Sequence, residues 1–536
     1  MRTVVTVPRA AGSTRSEVWL RLLVAAAVAS LLVYVALLAV YSGTSYPTSM
    51  VSASHWPALM DKPVGEDAYY MLTVAQNIAT RGRILYNGDL PATGIQPLAT
   101  LLFAALDWVV TATGGDAEAL IRSVLLTGVA LFILFAWQIG RIAAMLSPPE
   151  AKRYAATLAS LLTLCSYTLF RLFTYGLETG VYLLLLAACF IVTLQIAAEQ
   201  RTSTWNAVLL GVAAGLAGEA RIDFGLPFAI VLLFLLAYRW ISWGKALLTG
   251  SIALLLVSPW FLFVHRVSGS WLPSSGKAES TLIAWQTTPW RLLSMALAIA
   301  GQVMPWCYAV VSRATIAAAV VSTALLLWLF LRRKGQRQLL GRLLLSQHGR
   351  MWCTALLSLL PVYLLLFNAR HFYYRYTAPL AVLAVPVCAI AFAHSGWVRR
   401  HMVLAALGMV AAFAAWDAGS LHTGRVGNSQ TIAAGYIHRY FPQARVGAFQ
   451  SGVVGFFNPN VENLDGKLNA GALAATAANR LPQFIDAQHI AVLVDWPSVI
   501  HANLPQTYLD REWQPCPVPI VGGAESICLV RRAVSR

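Results

Sequence analysis

The sequence predicts a polytopic α-helical membrane protein that carries a small α/β unit at its C-terminal end. Three observations carry that prediction. Hydrophobic residues make up 58% of the 536 positions while charged residues make up 11%, and the mean hydropathy is +0.64; a soluble domain carries about a quarter charged residues. Apolar runs of about 20 residues, the length that crosses a hydrocarbon core, recur along most of the chain. Beyond about residue 420 the composition shifts to Asn, Gln, Asp and Pro, and the apolar runs shorten.

The runs fall near 18–41, 119–144, 153–173, 177–198, 204–220, 222–240, 245–265, 305–331, 351–368, 377–395 and 401–419, about eleven spans. They are expected to be helical, because lipid leaves each backbone N–H and C=O to be satisfied within its own segment. The first run is expected to be retained, since no small-residue cleavage site follows it. Lys and Arg bias sets the orientation. Arg2, Arg9, Arg15 and Arg21 precede the first run; on the same side follow Arg141 with Lys152 and Arg153, then Arg201, then Arg239 with Lys245, a dense group from Arg332 to Arg350, and Arg399 with Arg400. That side is read as cytoplasmic, which puts the N-terminus inside and the C-terminus outside. The net charge of +17 therefore reads as topology and anionic-lipid contact, not as nucleic-acid binding.

Three outer segments exceed turn length, at about 42–118, 266–304 and 420–536. The first contains the stretch on which a function would centre, GEDAYYMLTVAQNIATRGRILYNGDLPATGIQPL, Gly65 to Leu98. Tyr70, Val74 and Ile78 recur every fourth residue, as on a helix lying in the interface. The helix begins with Glu66 and Asp67 beside Tyr69 and Tyr70. A paired acid there suits a general base acting on a hydroxyl, and it equally suits the positive end of a helix dipole. Other outer basic residues, among them Arg221, Lys277, Arg370 and Arg375, break the charge rule, and between Asp223 and Asp417 the one acid is Glu279. These cations are expected to meet an anion supplied by a ligand. Arg370, His371, Arg375 and Tyr376, in NARHFYYRYTAPL, sit where an outer loop enters a span and suit a phosphate. Arg221 and Asp223, with Glu178 of YGLETG, also suit an ion pair within the bundle.

In the tail, 444–449 and 490–494 read as buried strands, 431–441 and 472–479 as helices, and 513–517 with 527–530 as a strand pair pinned by Cys516 and Cys528. These two cysteines lie in a polar region assigned outside the cytosol, where a disulfide persists. No HExxH, CxxC, P-loop, GxSxG or dinucleotide fingerprint occurs, which argues against a dedicated zinc site and against nucleotide-fuelled or serine-hydrolase chemistry.

Taken together, these stretches resemble the bacterial GT-C superfamily of integral membrane glycosyltransferases, which use polyprenyl-phosphate sugars. The superfamily includes oligosaccharyltransferases, protein mannosyltransferases, aminoarabinose transferases and arabinofuranosyltransferases. The residues that carry the resemblance are EDAYY at 66–70, Gly82 to Gly88, Thr93 to Leu98, YGLET at 175–179, ARID at 220–223, LPSSGKAES at 272–280, RY-x-x-P at 375–379, and VGAFQSGVVGFF with VENLDGKLN between 446 and 469. Gln96 stands where many relatives carry His, and Glu66 where many carry Asp. The resemblance implies an inverting transfer from a polyprenyl-phosphate donor to a hydroxyl of an envelope glycan, lipid or protein, at the outer face of a bacterial plasma membrane. Asp67 or Glu66 would be the base. Arg375, Lys277, Arg221, Tyr376 and His371 would bind the donor phosphate and lipid. Tyr69, Tyr70, Gln96, Glu178 and Asp223 would position acceptor or loops. The superfamily has metal-dependent and metal-independent members, so a divalent metal is neither required nor excluded. A flippase, a transporter of lipid-linked sugars or a glycan polymerase would also need many spans, but explains the paired acid and the outer α/β unit less well.

Overall fold

The computed structural model describes residues 13–40, 64–87, 91–281, 289–303, 332–365, 373–394, 429–520 and 526–532, with scattered helical positions between 321 and 411. Among them, four helices are long and apolar enough to cross a membrane: Ala117–Leu146, Thr179–Glu199, Trp243–Ser268 and Tyr373–Ala393. The run expected as one span at 153–173 is broken. Lys152–Leu164 and Tyr167–Thr174 meet at 62°, because Cys165 ends the first helix and the Ser166 hydroxyl caps the second by accepting the Leu169 N–H. The run at 18–41 is helical over Ser13–Val40 and that at 204–220 over Thr204–Ala220, the run at 222–240 forms Ile222–Phe224 with Gly225–Ala237, and the one at 351–368 divides into Gln347–Leu357 and Leu359–Leu365. Much of the runs at 305–331 and 401–419 lies outside the described residues.

The C-terminal residues form a five-stranded sheet in the order β2-β1-β3-β5-β4. Its strands are β1 (Val446–Ala448), β2 (Val461–Asn463), β3 (Val492–Asp495), β4 (Trp513–Pro515) and β5 (Ile527–Arg531). β1 runs parallel to β2 and β3, while β5 runs antiparallel to β3 and β4. Alternating side chains point to opposite faces of a strand, and both faces are covered here. Leu493 packs on one side with Ile485, Ile500 and Leu509. Val492 and Val494 pack on the other with Ala433 and Ile437 of helix Ser429–Tyr440. A disulfide joins Cys516 to Cys528 across the β4–β5 hairpin, as the strand-pair reading expects.

The helix bearing the paired acid spans Glu66–Arg81, and it does not lie on a surface with one apolar stripe. Residues Ala68 to Ala75 are buried without interruption. The tail is the reason, for the short helix Gly452–Phe457 packs along it. Tyr69 meets Phe456 edge to face at 5.3 Å. The Tyr86 hydroxyl donates to Ser451 O (2.8 Å), and the Asn87 amide donates to Val461 O (2.7 Å) and Gly455 O (3.1 Å). The approach is close enough to require glycine, since a Cβ on Gly452 would stand 2.2 Å from Glu66 O.

Candidate active site

Four segments distant in sequence converge at the start of helix Glu66–Arg81. The first is the helix itself, tied to YGLET where the Gly65 N–H donates to Tyr175 O (2.9 Å). The second is the turn at Thr93-Gly94, the third is helix Ser274–Thr281 from LPSSGKAES, and the fourth is the NLDGK loop of the tail. The Thr93 hydroxyl donates to Ser274 Oγ (3.1 Å), which donates to Lys467 O (2.5 Å). A Cβ on Gly94 would lie 1.9 Å from that same carbonyl, so any larger residue would displace the loop. The Lys467 N–H in turn donates to Asp465 Oδ1 (2.8 Å). Desolvation of the half-buried Asp465 raises its carboxyl above the ordinary range, and the Tyr70 hydroxyl reaches its other oxygen at 3.5 Å. Tyr70 thus holds the loop that presents Lys467.

The two acids have different surroundings. Asp67 retains 24% side-chain exposure and stands between two cations, with Oδ1 3.7 Å from Lys467 Nζ and Oδ2 3.9 Å from Arg375 Nη1. Glu66 is half-buried like Asp67, but its Oε1 accepts the Val453 N–H (3.1 Å) at the start of the helix that packs on it. Burial raises the Glu66 carboxyl to about 8; the Val453 N–H opposes the rise and the Asp67 charge adds to it. At neutral pH Glu66 is therefore mostly neutral while it anchors the tail.

A stability prediction follows with a definite sign. Glu66 ionises near 4.5 when unfolded and near 8 when folded, so the folded state holds the extra proton between those values. Stability contributed by the neutral form is present below pH 4.5 and is lost as pH rises toward 8. Glu66→Gln, which keeps the acceptor oxygen but cannot ionise, is expected to flatten this decline, by on the order of 3 kcal/mol near pH 8. Thermal denaturation of both proteins between pH 5 and 8.5 measures it; parallel curves would refute the assignment.

Arg375 and Arg221 do not fit the expectation that outer cations lack protein partners. Arg375 Nη2 donates to both Glu178 oxygens (2.8 and 2.9 Å), and Nε donates to Oε1 (3.3 Å). Arg221 donates to Asp223 through Nε (3.1 Å) and Nη2 (2.9 Å) and to the Tyr363 hydroxyl (2.7 Å), with Glu178 3.8 Å away. Tyr363 also donates to Asp223. The rings of Tyr182 and Tyr376 face the Arg221 guanidinium at 5.2 and 5.1 Å, and Tyr376 stacks on Tyr363. The reading of Arg221 and Asp223 as a bundle ion pair is the one realised. The sequence misled because the counter-ion Glu178 lies 197 residues from Arg375.

Gln96 precedes helix Pro97–Ala112 without a side-chain capping bond, and its carbonyl accepts the Thr100 N–H. Lys277 lies on helix Ser274–Thr281, three residues beyond the Ser274 link to Lys467. Arg370 and His371 lie outside the described residues. The residue that sequence reading passed over is Lys467, although it stands in the tail motif VENLDGKLN; nothing local marks it as facing Asp67. Among the described residues no group of three or more His, Cys, Asp or Glu is arranged to hold a metal ion.

In overall fold the chain resembles proteins of known structure. Over 96% of its length it matches ArnT from Cupriavidus metallidurans bound to undecaprenyl phosphate, covering 98% of that protein with a TM-score of 0.60 at 13% identity. The fold is that of ArnT. The apo state of the same ArnT gives a TM-score of 0.58 at 14% identity. The oligosaccharyltransferase of Archaeoglobus fulgidus matches 88% of this chain over 69% of its own length, with a TM-score of 0.53 at 11% identity. No protein-family model matches the sequence, and no curated protein matches it. The likeness is one of fold, preserved with little of the sequence.

Proposed function

We propose that the protein is an inverting glycosyltransferase of the GT-C kind, moving a sugar from a polyprenyl-phosphate donor to a hydroxyl of a cell-envelope glycan, lipid or protein. The observation that carries this reading is the placement of Asp67, a half-buried carboxylate between Arg375 and Lys467 at under 4 Å from each. In this reading residues 1–419 form a membrane module with its N-terminus in the cytoplasm, and 420–536 an extracytoplasmic domain.

The chemistry asks for a base and an anion site side by side, and the arrangement fits it. Asp67 accepts the proton of the acceptor hydroxyl as that oxygen attacks the anomeric carbon from the face opposite the phosphate. The bond between the anomeric carbon and the phosphate oxygen breaks, its electron pair goes to the phosphate, and polyprenyl phosphate departs. Charge develops on the departing oxygen, where Arg375 and Lys467, with Lys277 from the neighbouring helix, stabilise it; one preorganised group of this kind contributes ~3–4 kcal/mol. Glu178 fixes the Arg375 fork through two hydrogen bonds, so little reorganisation is needed at the moment of reaction. Glu66, mostly neutral and bonded to the tail through Val453, serves the architecture.

Purified protein given a synthetic polyprenyl-phosphate sugar and a hydroxyl acceptor is expected to release polyprenyl phosphate and glycosylated acceptor in equal amounts, with the anomeric configuration inverted. Movement of the intact lipid-linked sugar across a vesicle membrane without cleavage would establish a transporter and overturn the proposal.

A further inference from the structure

The far side of helix Glu66–Arg81 carries a feature that the transfer reaction does not use. At 3.6 residues per turn, Thr73, Gln76 and Thr80 fall on one arc roughly opposite Asp67. They face a cavity of about 360 Å³ whose other walls come from helix Pro97–Ala112, the start of helix Ala117–Leu146 and the tail around Gly455 to Pro459. This volume lies in the range of small-molecule sites. From Asp67, Gln76 and Thr80 are about 14–20 Å further along the helix axis, so the two sites are separate.

Asp107 sets this cavity apart from an incidental gap. It interrupts the apolar helix PLATLLFAALDWVVTA, is 96% buried (4% exposed), and lines the cavity. Among the described residues, no hydrogen bond or ion pair reaches its carboxyl. Its oxygens are not sealed from solvent, so the carboxyl opens on the cavity and can accept hydrogen bonds from a ligand's hydroxyls. Burial of the residue also raises the carboxyl above the ordinary range.

The remaining wall identifies the ligand chemistry. Gln76 supplies an amide, Thr80 and Thr111 hydroxyls, Arg81 a guanidinium, and Phe456 an aromatic surface. Alternating donors and acceptors around a ring face match a polyol, and an aromatic wall matches the apolar face of a pyranose. A metal ion would need a cluster of ligands, and none is present among the described residues.

We propose that this cavity is an accessory saccharide site, binding a neutral sugar ring through Asp107 and Gln76. The test uses the full-length protein in detergent, titrated with the methyl glycosides of glucose, mannose, galactose and arabinofuranose, with binding read by saturation-transfer difference NMR. At least one glycoside is expected to bind the native protein. Asp107→Leu is expected to weaken that binding at least tenfold, with no loss of thermal midpoint because an unpartnered carboxyl is removed. Asp67→Asn is expected to leave it unchanged. Should Asp107→Leu fail to fold, Gln76→Leu, which leaves helix Pro97–Ala112 intact, is expected to give the same loss. The proposal is overturned if no glycoside binds, if binding survives in Asp107→Leu or in Gln76→Leu, or if it disappears in Asp67→Asn.

Discussion

Asp67→Asn is expected to reduce turnover by about 10³-fold at saturating donor, within the range of general-base catalysis, while Glu66→Gln stays within a few-fold of the native rate. Adjacent carboxylates give opposite results because of what surrounds them. Asp67 keeps a quarter of its side chain open and has cations 3.7 and 3.9 Å away, close enough for a phosphate to lie beside it. Asparagine matches its size and removes its basicity. Glu66 meets a backbone N–H and the underside of the tail, and glutamine can keep that contact. Initial rates of polyprenyl phosphate release decide it. Equal losses in the two variants, or a loss confined to Glu66→Gln, would reverse the assignment.

Arg375→Ala is expected to cost stability before it costs chemistry. Glu178 is 1% exposed and carries two short hydrogen bonds from the Arg375 guanidinium. Removing the arginine takes away its hydrogen bonds and leaves this buried carboxylate with Arg221, 3.8 Å away, as its cation, a change that costs up to about 3–5 kcal/mol. The double variant Arg375→Ala, Glu178→Ala no longer carries that charge and is expected to regain part of the thermal midpoint while transferring no sugar. That separation of stability from activity distinguishes a phosphate-binding arginine from one that only ties helices together. A single variant with an unchanged midpoint would show that the pair contributes little, and an active double variant would remove Arg375 from the mechanism.

Local pattern made the acids, the aromatic pair, the glycine turns and RY-x-x-P legible, because each is a run of residues with its own short-range chemistry. The β4–β5 pair and its disulfide were legible for the same reason. What escaped was pairing across long stretches of chain. Arg375 read as an unsatisfied cation because its counter-ion Glu178 lies at the start of another helix, and Lys467 is 400 positions from the acid it faces. The helix over Glu66–Arg81 was legible as a helix but not in its enclosure, since fourfold spacing of Tyr70, Val74 and Ile78 cannot reveal that Gly452–Phe457 covers the remaining sides. The break at Cys165-Ser166 escaped because a serine cap hides inside an apolar run long enough to span. β2 has three residues, too few for periodicity to register.

The relay from Thr93 through Ser274 to the Lys467 carbonyl has a mechanical consequence. The Lys467 backbone is tied to helix Ser274–Thr281, so a displacement of Ser274 moves the point from which the ammonium group is carried. The charge balance around Asp67 is thereby coupled to the placement of that helix.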